Sequence, residues 1–343
     1  MSPSDISAAL ARALDLAEQA IGLTDPNPRV GCLLLAPDGR EIGAGHTQAA
    51  GQAHAEVMAL RDAAARGHDV RGATAIVTLE PCSHHGRTPP CCDALIATGI
   101  ARVVAAAQDP NPQVAGQGLA RLRAAGLDVA LADPAFEARS RELNIGFFSR
   151  MQRGRPFVRL KSAISLDGRT ALPDGQSQWI TGEAARADGH AWRRRAGAVL
   201  TGIGTVLADD PRLDVRLVPT ARQPLRLVLD PQGRTPPSAR ILQPPGEARL
   251  LGPGRADLPT LMQDLGAQGI NELHVEAGPI LSGAFLDAGL VDELLIYQAP
   301  LLIGSGRPLA ELAPLPSLAG ARRWRIVEAT PLGEDLRLRL RPT

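Results

Sequence analysis

The chain is poor in aromatic residues and carries almost no net charge. Its 343 residues include five Phe, three Trp and one Tyr, and 37 Lys and Arg nearly balance 36 Asp and Glu. A protein that binds nucleic acid attracts the polyanion with a basic groove and stacks bases on aromatic rings. We therefore expect no nucleic-acid partner, although a local arginine cluster could hold the phosphate of a small substrate.

Cysteines and long apolar runs are also scarce. Three of the four cysteines, Cys82, Cys91 and Cys92, fall close together, whereas a disulfide scaffold would spread them along the chain. Residues 1–20 carry apolar side chains at helical spacing, interrupted by acidic ones, which predicts an amphipathic helix and not a signal peptide. No uncharged apolar run approaches the roughly 20 residues that span a bilayer. We expect a cytoplasmic protein without membrane contact.

The length of the chain predicts two domains, because single hydrophobic cores stop growing at roughly 250 to 300 residues. Strand-length apolar runs alternate with helical segments in both halves of the sequence. This alternation predicts α/β domains, the first of them with a largely parallel sheet and active groups at strand ends. The polar stretch at 149–156 is the expected boundary, which gives a first domain over 1–150 and a second over 151–343.

The predicted elements follow from the hydrophobic periodicity. Strands are expected at 30–35, 75–79, 103–107 and 129–132, and then at 157–163, 198–201, 225–229, 248–251, 273–276 and 294–298. Helices are expected at 53–65, 93–98, 113–125, 183–195, 258–267 and 280–288.

The clearest chemical signal is a His-x-Glu motif followed by a cysteine-rich segment. His54, Cys82 and Cys91 supply three ligands for zinc, and a catalytic zinc site has three protein ligands and leaves a fourth position for water. Glu56 follows the ligand histidine at the start of a helix, where its carboxylate can move protons without binding the metal. The pattern favours a catalytic zinc site with Glu56 as its acid and base.

Other interpretations of these residues remain open at this stage. A structural zinc site has four protein ligands, and Cys92 or His84 could be the fourth, but this leaves Glu56 unexplained. Cys92 could instead be a helix residue that faces away from Cys91. Cys32 lies in an apolar strand and is most simply a core residue.

The segment resembles the cytidine-deaminase-like zinc superfamily, whose signature is His-x-Glu with Pro-Cys-x-x-Cys. Here eight residues separate Cys82 from Cys91, and the insertion at 84–90 is similar to the deaminase branch of riboflavin biosynthesis, as are the segments at 26–31 and 108–112. The resemblance implies an α/β/α sandwich in the first domain. It also implies that Asn27 and the inserted His-Gly-Arg-Thr loop contact a pyrimidine substrate.

Two glycine-containing turns in the second half follow apolar strands. The first, at 201–205, lets backbone approach a phosphate, but it lacks the third glycine of a dinucleotide fingerprint and is more often an ordinary chain reversal. The second, from Glu276 to Gly283, is more informative because a strand ends there and a helix begins. Free backbone N–H groups at such a helix start suit a cofactor pyrophosphate.

Four segments of the second half, at 161–169, 177–181, 205–211 and 275–279, resemble the reductase of the same pathway, which has a dihydrofolate-reductase-like α/β fold. The implied contacts with NADPH are Ala163, Trp179, Thr205, Asp209 and the stretch Gly278, Pro279, Ile280, Leu281, Ser282, Gly283 and Ala284. The implied contacts with the substrate are Ser177, Arg193, Leu213, Arg216 and Glu276, with the two arginines on its phosphate. Lys161 is expected to act on the ribose that is reduced.

Each of these residues also has a simpler interpretation. Arg193 could belong to the solvated basic face of a helix, Trp179 could be a core aromatic, and Lys161 could be a surface strand residue. The whole-chain resemblance nevertheless implies a bifunctional deaminase and reductase of riboflavin biosynthesis.

The first reaction would be zinc-dependent hydrolytic deamination of a diaminopyrimidinone ribosylamine phosphate, and the second NADPH-dependent reduction of its ribosyl group to ribityl. A small phosphorylated pyrimidine is then the substrate, and we expect a homo-oligomer. The rival functions are a deaminase that edits nucleic acid, which the charge and aromatic content oppose, and a zinc-binding module without enzymatic activity.

Overall fold

The computed structural model describes residues 2–84, 89–112, 114–252 and 257–343. The chain divides into two compact units, Met1–Gly154 and Arg155–Thr343. Within the described ranges, no helix is both long enough and apolar enough to cross a membrane. The inserted loop at 85–88 and Gln113, where one helix was predicted to begin, lie outside these ranges.

The first unit is an α/β/α sandwich around a five-stranded sheet. Its strands are β1 (Gly31–Leu35), β2 (Glu41–His46), β3 (Thr74–Val77), β4 (Arg102–Ala105) and β5 (Asp128–Leu131). Its helices are α1 (Pro3–Glu18), α2 (Ala55–Ala65), α3 (Cys91–Ala97), α4 (Gln117–Ala124), α5 (Pro134–Leu143) and α6 (Ile145–Arg153). The strand order is β2-β1-β3-β4-β5, with β3, β4 and β5 parallel to one another.

Alternate residues of β1 face the two layers of helices, as the two-residue period of a strand requires. Cys32 and Leu34 pack in the core formed with α2, α3, α4 and α6, whereas Leu33 and Leu35 pack in the core formed with α1. Cys32 is fully buried, which confirms that it is a core residue. Gly31 allows α1 to lie directly on the sheet, because an added Cβ would stand 1.9 Å from the carbonyl oxygen of Ala13.

The second unit contains an eight-stranded sheet in the order β10-β9-β8-β11-β6-β12-β15-β14. The strands are β6 (Phe157–Ile164), β7 (Arg169–Ala171), β8 (Ala198–Gly202), β9 (Leu225–Leu229), β10 (Ala248–Leu251), β11 (Glu272–Val275), β12 (Glu293–Gln298), β13 (Arg307–Pro308), β14 (Trp324–Leu332) and β15 (Asp335–Pro342). The helices are α7 (Glu183–Arg195), α8 (Ile203–Asp209), α9 (Leu258–Ala267) and α10 (Pro279–Asp287), with short 3₁₀ turns at Arg240–Leu242 and Leu318–Gly320.

The strands from β10 to β12 run parallel, so their carboxyl ends share one edge of the sheet. Strand β15 pairs antiparallel with β12, β14 pairs antiparallel with β15, and β7 pairs separately with β13. One face of the sheet packs an apolar core against α9 and α10. The opposite face, under α7, is charged, because Arg159 is buried there between Glu272 and Glu293, with nitrogen-to-oxygen distances of 2.8 Å and 2.7 Å.

The structure corrects several sequence-based expectations. The first sheet is not largely parallel, since β1 pairs antiparallel with both β2 and β3. The division between Gly154 and Arg155 falls within the polar stretch at 149–156, but Ser149–Arg153 is helical, because it is the end of α6, whose Phe147 and Phe148 pack in the core of the first unit. The turn expected after β8 is the start of α8. Strands β2, β14 and β15 were not predicted, because their glycine and arginine residues interrupt the apolar pattern.

Candidate functional site

A cluster of three potential metal ligands lies in the first unit. His54 is the N-cap of α2, Cys91 is the first residue of α3, and Cys82 lies in the segment that follows β3. His54 Nδ1 is 3.6 Å from Cys82 Sγ and 3.4 Å from Cys91 Sγ. A tetrahedral zinc ion with Zn–N of about 2.0 Å and Zn–S of about 2.3 Å requires ligand separations of about 3.5 Å, so the donor set fits zinc.

Glu56 lies in the first turn of α2 and is 4% exposed. Burial and the nearby Cys82 thiolate raise the pKa of Glu56 to about 7, against a smaller lowering by His54. The pKa of Cys82 is lowered to about 4, first by its hydrogen bond with Cys91 and also by His54. The cluster therefore combines a thiol that ionises readily with a buried carboxyl group that can hold a proton.

Neither proposed fourth ligand joins this cluster. Among the described residues the metal-binding group consists of His54, Cys82 and Cys91. Cys92 points into the core, where its Sγ lies 3.3 Å from the carbonyl oxygen of Pro81. His84 lines the neighbouring cavity instead.

The cluster opens into a cavity of about 640 Å³. Asn27, which the sequence assigned to the substrate, lines this cavity together with Glu56. Asp109, Asn111 and Arg150 also line it, and none of these three was singled out from the sequence. Asp109 and Asn111 do lie in the segment 108–112, and the similarity of this segment to the riboflavin deaminases could have identified them as candidates.

Glu80 is a further residue that the sequence did not identify. Its Oε2 accepts hydrogen bonds from the backbone N–H groups of Asp109 and Gly116, at 3.2 Å and 2.9 Å. Its Oε1 accepts from Gly118 and Leu119, at 2.9 Å and 3.1 Å. One carboxylate thus fixes the loop that carries Asp109 and Asn111 to the end of the sheet.

A second group of charged residues lies at the carboxyl end of β11 in the second unit. The Glu276 carboxylate accepts hydrogen bonds from Nε and Nη2 of Arg193. Lys161 Nζ lies 3.5 Å from Oε2 of the same carboxylate. The Arg193 and Lys161 side chains are 13% and 22% exposed. Arg193 therefore does not belong to a solvated helix face, and Lys161 is a half-buried, ion-paired residue and not a surface strand residue.

Two segments assigned to NADPH begin at the same edge of the sheet, namely α8 after β8 and α10 after β11. Gly278 donates its backbone N–H to Thr205 Oγ1 at 3.1 Å, which joins α8 to the start of α10. The hydroxyl of Ser177, assigned to the substrate, donates to Asp209 Oδ1 at 3.3 Å. Ala163 packs instead beside the buried cluster that contains Tyr297.

The stretch 278–284 forms the start of α10, and only part of it faces solvent. Ile280 is 73% exposed, and Ala284 is also exposed. The Ser282 hydroxyl donates to the carbonyl oxygen of Ala277 at 3.2 Å, and a Cβ on Gly283 would stand 2.0 Å from the carbonyl oxygen of Glu311. Ser282 and Gly283 are thus packed into the protein, whereas Pro279 and Leu281 are half-buried.

Trp179 is not a core aromatic, because 64% of it is exposed. The guanidinium of Arg186 stacks over its ring, 4.7 Å from the centroid. Leu213 has a positive φ of 51°. Its side chain is directed into the protein, where it is buried in an apolar cluster.

His190 holds the segment around Arg216, and the sequence did not single it out. Its Nδ1 accepts the backbone N–H of Arg216 at 3.1 Å. Arg216 Nη1 donates to Asp214 Oδ1 at 2.7 Å. Burial, and then the charges of Arg193 and Arg216, lower the pKa of His190 to about 4, so it is neutral at neutral pH and can accept this bond.

Comparison with known proteins accounts for both units. Residues 3–107 match the cytidine and deoxycytidylate deaminase zinc-binding region, and residues 156–338 match the RibD C-terminal domain. The riboflavin biosynthesis protein RibD of Escherichia coli is 50% identical, covering 96% of this chain and 98% of that protein. The chain belongs to the RibD family.

Solved RibD structures agree with this placement over the whole chain. RibD of Acinetobacter baumannii is 43% identical and superposes with a TM-score of 0.91, covering 100% of both chains. The Thermotoga maritima protein, described as a diaminohydroxyphosphoribosylaminopyrimidine deaminase and 5-amino-6-(5-phosphoribosylamino)uracil reductase, is 32% identical with a TM-score of 0.91 and 99% of both chains covered. The predicted family, the α/β fold class and the bifunctional deaminase and reductase of riboflavin biosynthesis are confirmed.

Proposed function

We propose that the unit Met1–Gly154 deaminates a diaminopyrimidinone ribosylamine phosphate and that the unit Arg155–Thr343 reduces the product with NADPH. The observation that carries the first assignment is the ligand set of His54, Cys82 and Cys91 beside the buried Glu56, at a cavity of about 640 Å³. The T. maritima relative is named for both activities. Its full-length similarity supports the same pair of reactions here.

In the first unit we assign zinc to His54, Cys82 and Cys91. Zinc bound there supplies a Lewis acid that makes water nucleophilic near neutral pH. Deamination replaces the ring amino group with oxygen from water and releases ammonia, so protons must pass from the water to the pyrimidine nitrogens. Glu56 lies beside the ligands without belonging to the ligand group, and its carboxyl group performs this transfer.

In the second unit we assign the dinucleotide to the edge of the sheet where α8 and α10 begin. NADPH supplies the hydride that reduces the ribosyl carbon. The start of α10 offers backbone N–H groups to the pyrophosphate, and the exposed apolar surfaces of Trp179 and Ile280 suit contact with flat rings. Lys161, Arg193 and Glu276 form the polar wall that orients the ribose.

A coupled assay with Glu56→Gln tests the assignment. The purified wild-type protein should release ammonia from the aminopyrimidine substrate and then consume NADPH. Glu56→Gln should keep zinc and lose about a hundredfold to ten-thousandfold in deamination, because general acid–base groups contribute about that much. It should still reduce substrate that is already deaminated. Comparable losses in both assays would instead indicate a structural role for Glu56.

A further inference from the structure

The ammonium group of Lys161, in the polar wall of the second unit, is held loosely by charge alone. Among the described residues its ion-pair partner is Glu276, and Nζ lies 3.5 Å from Oε2, which is long for a charge-assisted hydrogen bond. The same carboxylate is already bound at two points by Arg193. A lysine has a flexible four-carbon stem, so one long ion pair does not keep its ammonium group in one position.

The ring of Tyr297 provides a second contact for Lys161. Nζ lies 5.8 Å from the ring centroid, within the range of a cation–π interaction. The parallel pairing of β6 with β12 brings the two residues together, because Lys161 stands beside Leu295 and Ala163 stands beside Tyr297. Residues two apart on a strand share a face, so Lys161 and Tyr297 lie on the same face of the sheet.

The Tyr297 ring has a fixed position in the protein. It is 1% exposed, and its hydroxyl donates to Asp188 Oδ2 at 2.6 Å. Asp188 also accepts hydrogen bonds from Trp192 Nε1 at 3.2 Å and from Arg337 Nη1 at 2.8 Å. Burial and then the charge of Asp188 raise the pKa of Tyr297, so the hydroxyl stays protonated and donates this bond. A rigid aromatic face therefore lies beside a flexible lysine.

We propose that Tyr297 is a positioning residue for the reduction and that it acts through Lys161. Its ring holds the ammonium group beside Glu276, where the remaining N–H donors can meet the hydroxyl groups of the ribose. Without the ring the lysine side chain would populate more rotamers, and the ammonium group would face the ribose less often. This inference rests on the proposed reduction and adds one residue to it.

The test measures NADPH-dependent reduction of already deaminated substrate by the full chain. Tyr297→Leu removes the ring and should lower kcat/KM for this substrate about 2- to 30-fold, the range of a cation–π contact. KM for NADPH should change little. Tyr297→Phe keeps the ring and loses only the hydrogen bond to Asp188, so its loss should be clearly smaller. An unchanged rate in Tyr297→Leu, or equal losses in the two variants, would overturn the proposal.

A double-mutant cycle with Lys161→Met separates positioning of the lysine from packing of the core. If Tyr297 acts through Lys161, Tyr297→Leu should have almost no further effect in the Lys161→Met background. The same fold loss in both backgrounds would contradict this and show a purely structural role.

Phe157→Leu is the matched control for loss of a buried ring. Phe157 begins β6, is 5% exposed, and its ring centroid lies 5.4 Å from the guanidinium carbon of Arg159. The variant loses a ring of the same sheet at the opposite end of the strand from the polar wall. It should reduce the substrate as wild type does at temperatures where it is folded, and a loss equal to that in Tyr297→Leu would count against the proposal.

If Lys161→Met is too slow to measure, the cycle uses the dissociation constant of the deaminated substrate without NADPH. All three Trp residues of the chain belong to the second unit, so Trp fluorescence reports binding there. A weakening in Tyr297→Leu that disappears in the Lys161→Met background supports the proposal, whereas the same weakening in both backgrounds, or none in either, overturns it.

If Tyr297→Leu does not fold, Tyr297→Met takes its place, since the flexible Met side chain fills irregular gaps better. Failure of the proposed function is a separate result, because the wild-type protein would then not reduce the deaminated substrate with NADPH.

Discussion

Arg193 and Glu276 form a two-point ion pair at the carboxyl end of β11. Arg193 Nη2 lies 2.9 Å from Glu276 Oε2, and its Nε donates to Oε1 of the same carboxylate. Burial is the largest influence on the pKa of Glu276 and raises it, but Arg193 and Lys161 together lower it well below its ordinary value. The carboxylate is therefore ionised at neutral pH and fixes both cations.

Replacement of Glu276 should destabilise the second unit strongly. Glu276→Gln removes the charge that compensates the buried Arg193, and loss of one partner from a buried pair costs about 3–5 kcal/mol. Glu247→Gln is the control, since the Glu247 and Arg249 side chains are 62% and 49% exposed and such pairs contribute at most about 1 kcal/mol. Calorimetric unfolding of the full chain compares the two, and equal effects would contradict the ion-pair argument.

Two variants should separate substrate binding from cofactor binding in the reductase site. Arg193→Ala should raise KM for the substrate more than KM for NADPH, because a charge-assisted contact contributes about 1.5–3 kcal/mol. It should also destabilise the second unit, since it leaves the buried Glu276 without its guanidinium partner, so both constants are measured well below the unfolding temperature of the variant. Gly278→Val should do the reverse by keeping the pyrophosphate away from the backbone. An added Cβ at Gly278 meets only Thr205 Oγ1, at 3.7 Å, so the fold should tolerate the change. An increase confined to NADPH in Arg193→Ala would refute this division of the site.

Zinc content should depend on Cys82 and not on Cys92. The wild-type protein should contain about one zinc per chain, because a catalytic site needs the three protein ligands His54, Cys82 and Cys91. Cys82→Ser should lose most of the metal and the deamination. Cys92→Ala is the matched control, since its Sγ lies in the core against Pro81. Full zinc and full deamination in Cys82→Ser would show that the assigned ligand set is wrong.

The second unit should lose stability in acid. Burial opposes ionisation of Glu293, yet Arg159 and Arg339 lower its pKa from the ordinary 4.5 to about 2. A carboxyl group with a depressed folded-state pKa contributes stability above its unfolded value, and this contribution is lost as pH falls from about 4.5 towards 2. Urea unfolding at several pH values should show a falling midpoint over that range. Glu293→Gln should flatten the dependence, and a slope unchanged in this variant would contradict the assignment.

The sequence by itself determined the local features of this protein. Helices α7 and α9 and strands β9 and β10 were predicted with their observed bounds, because their apolar periodicity and end signals lie within the segments themselves. The cluster of His54, Cys82 and Cys91 was predictable for a similar reason. Whether a side chain can bind zinc depends on its own chemistry, and the motif His-x-Glu with two cysteines is short and specific.

Only the tertiary structure decided which distant groups meet. Arg339 pairs with Glu293 across 46 residues, and Arg150 bonds to Pro26 across 124 residues. Such contacts depend on strand register and on how helices pack over the sheet, and neither is encoded in a local pattern. For the same reason the charged face under α7 and the strands β14 and β15 became visible only in the folded chain.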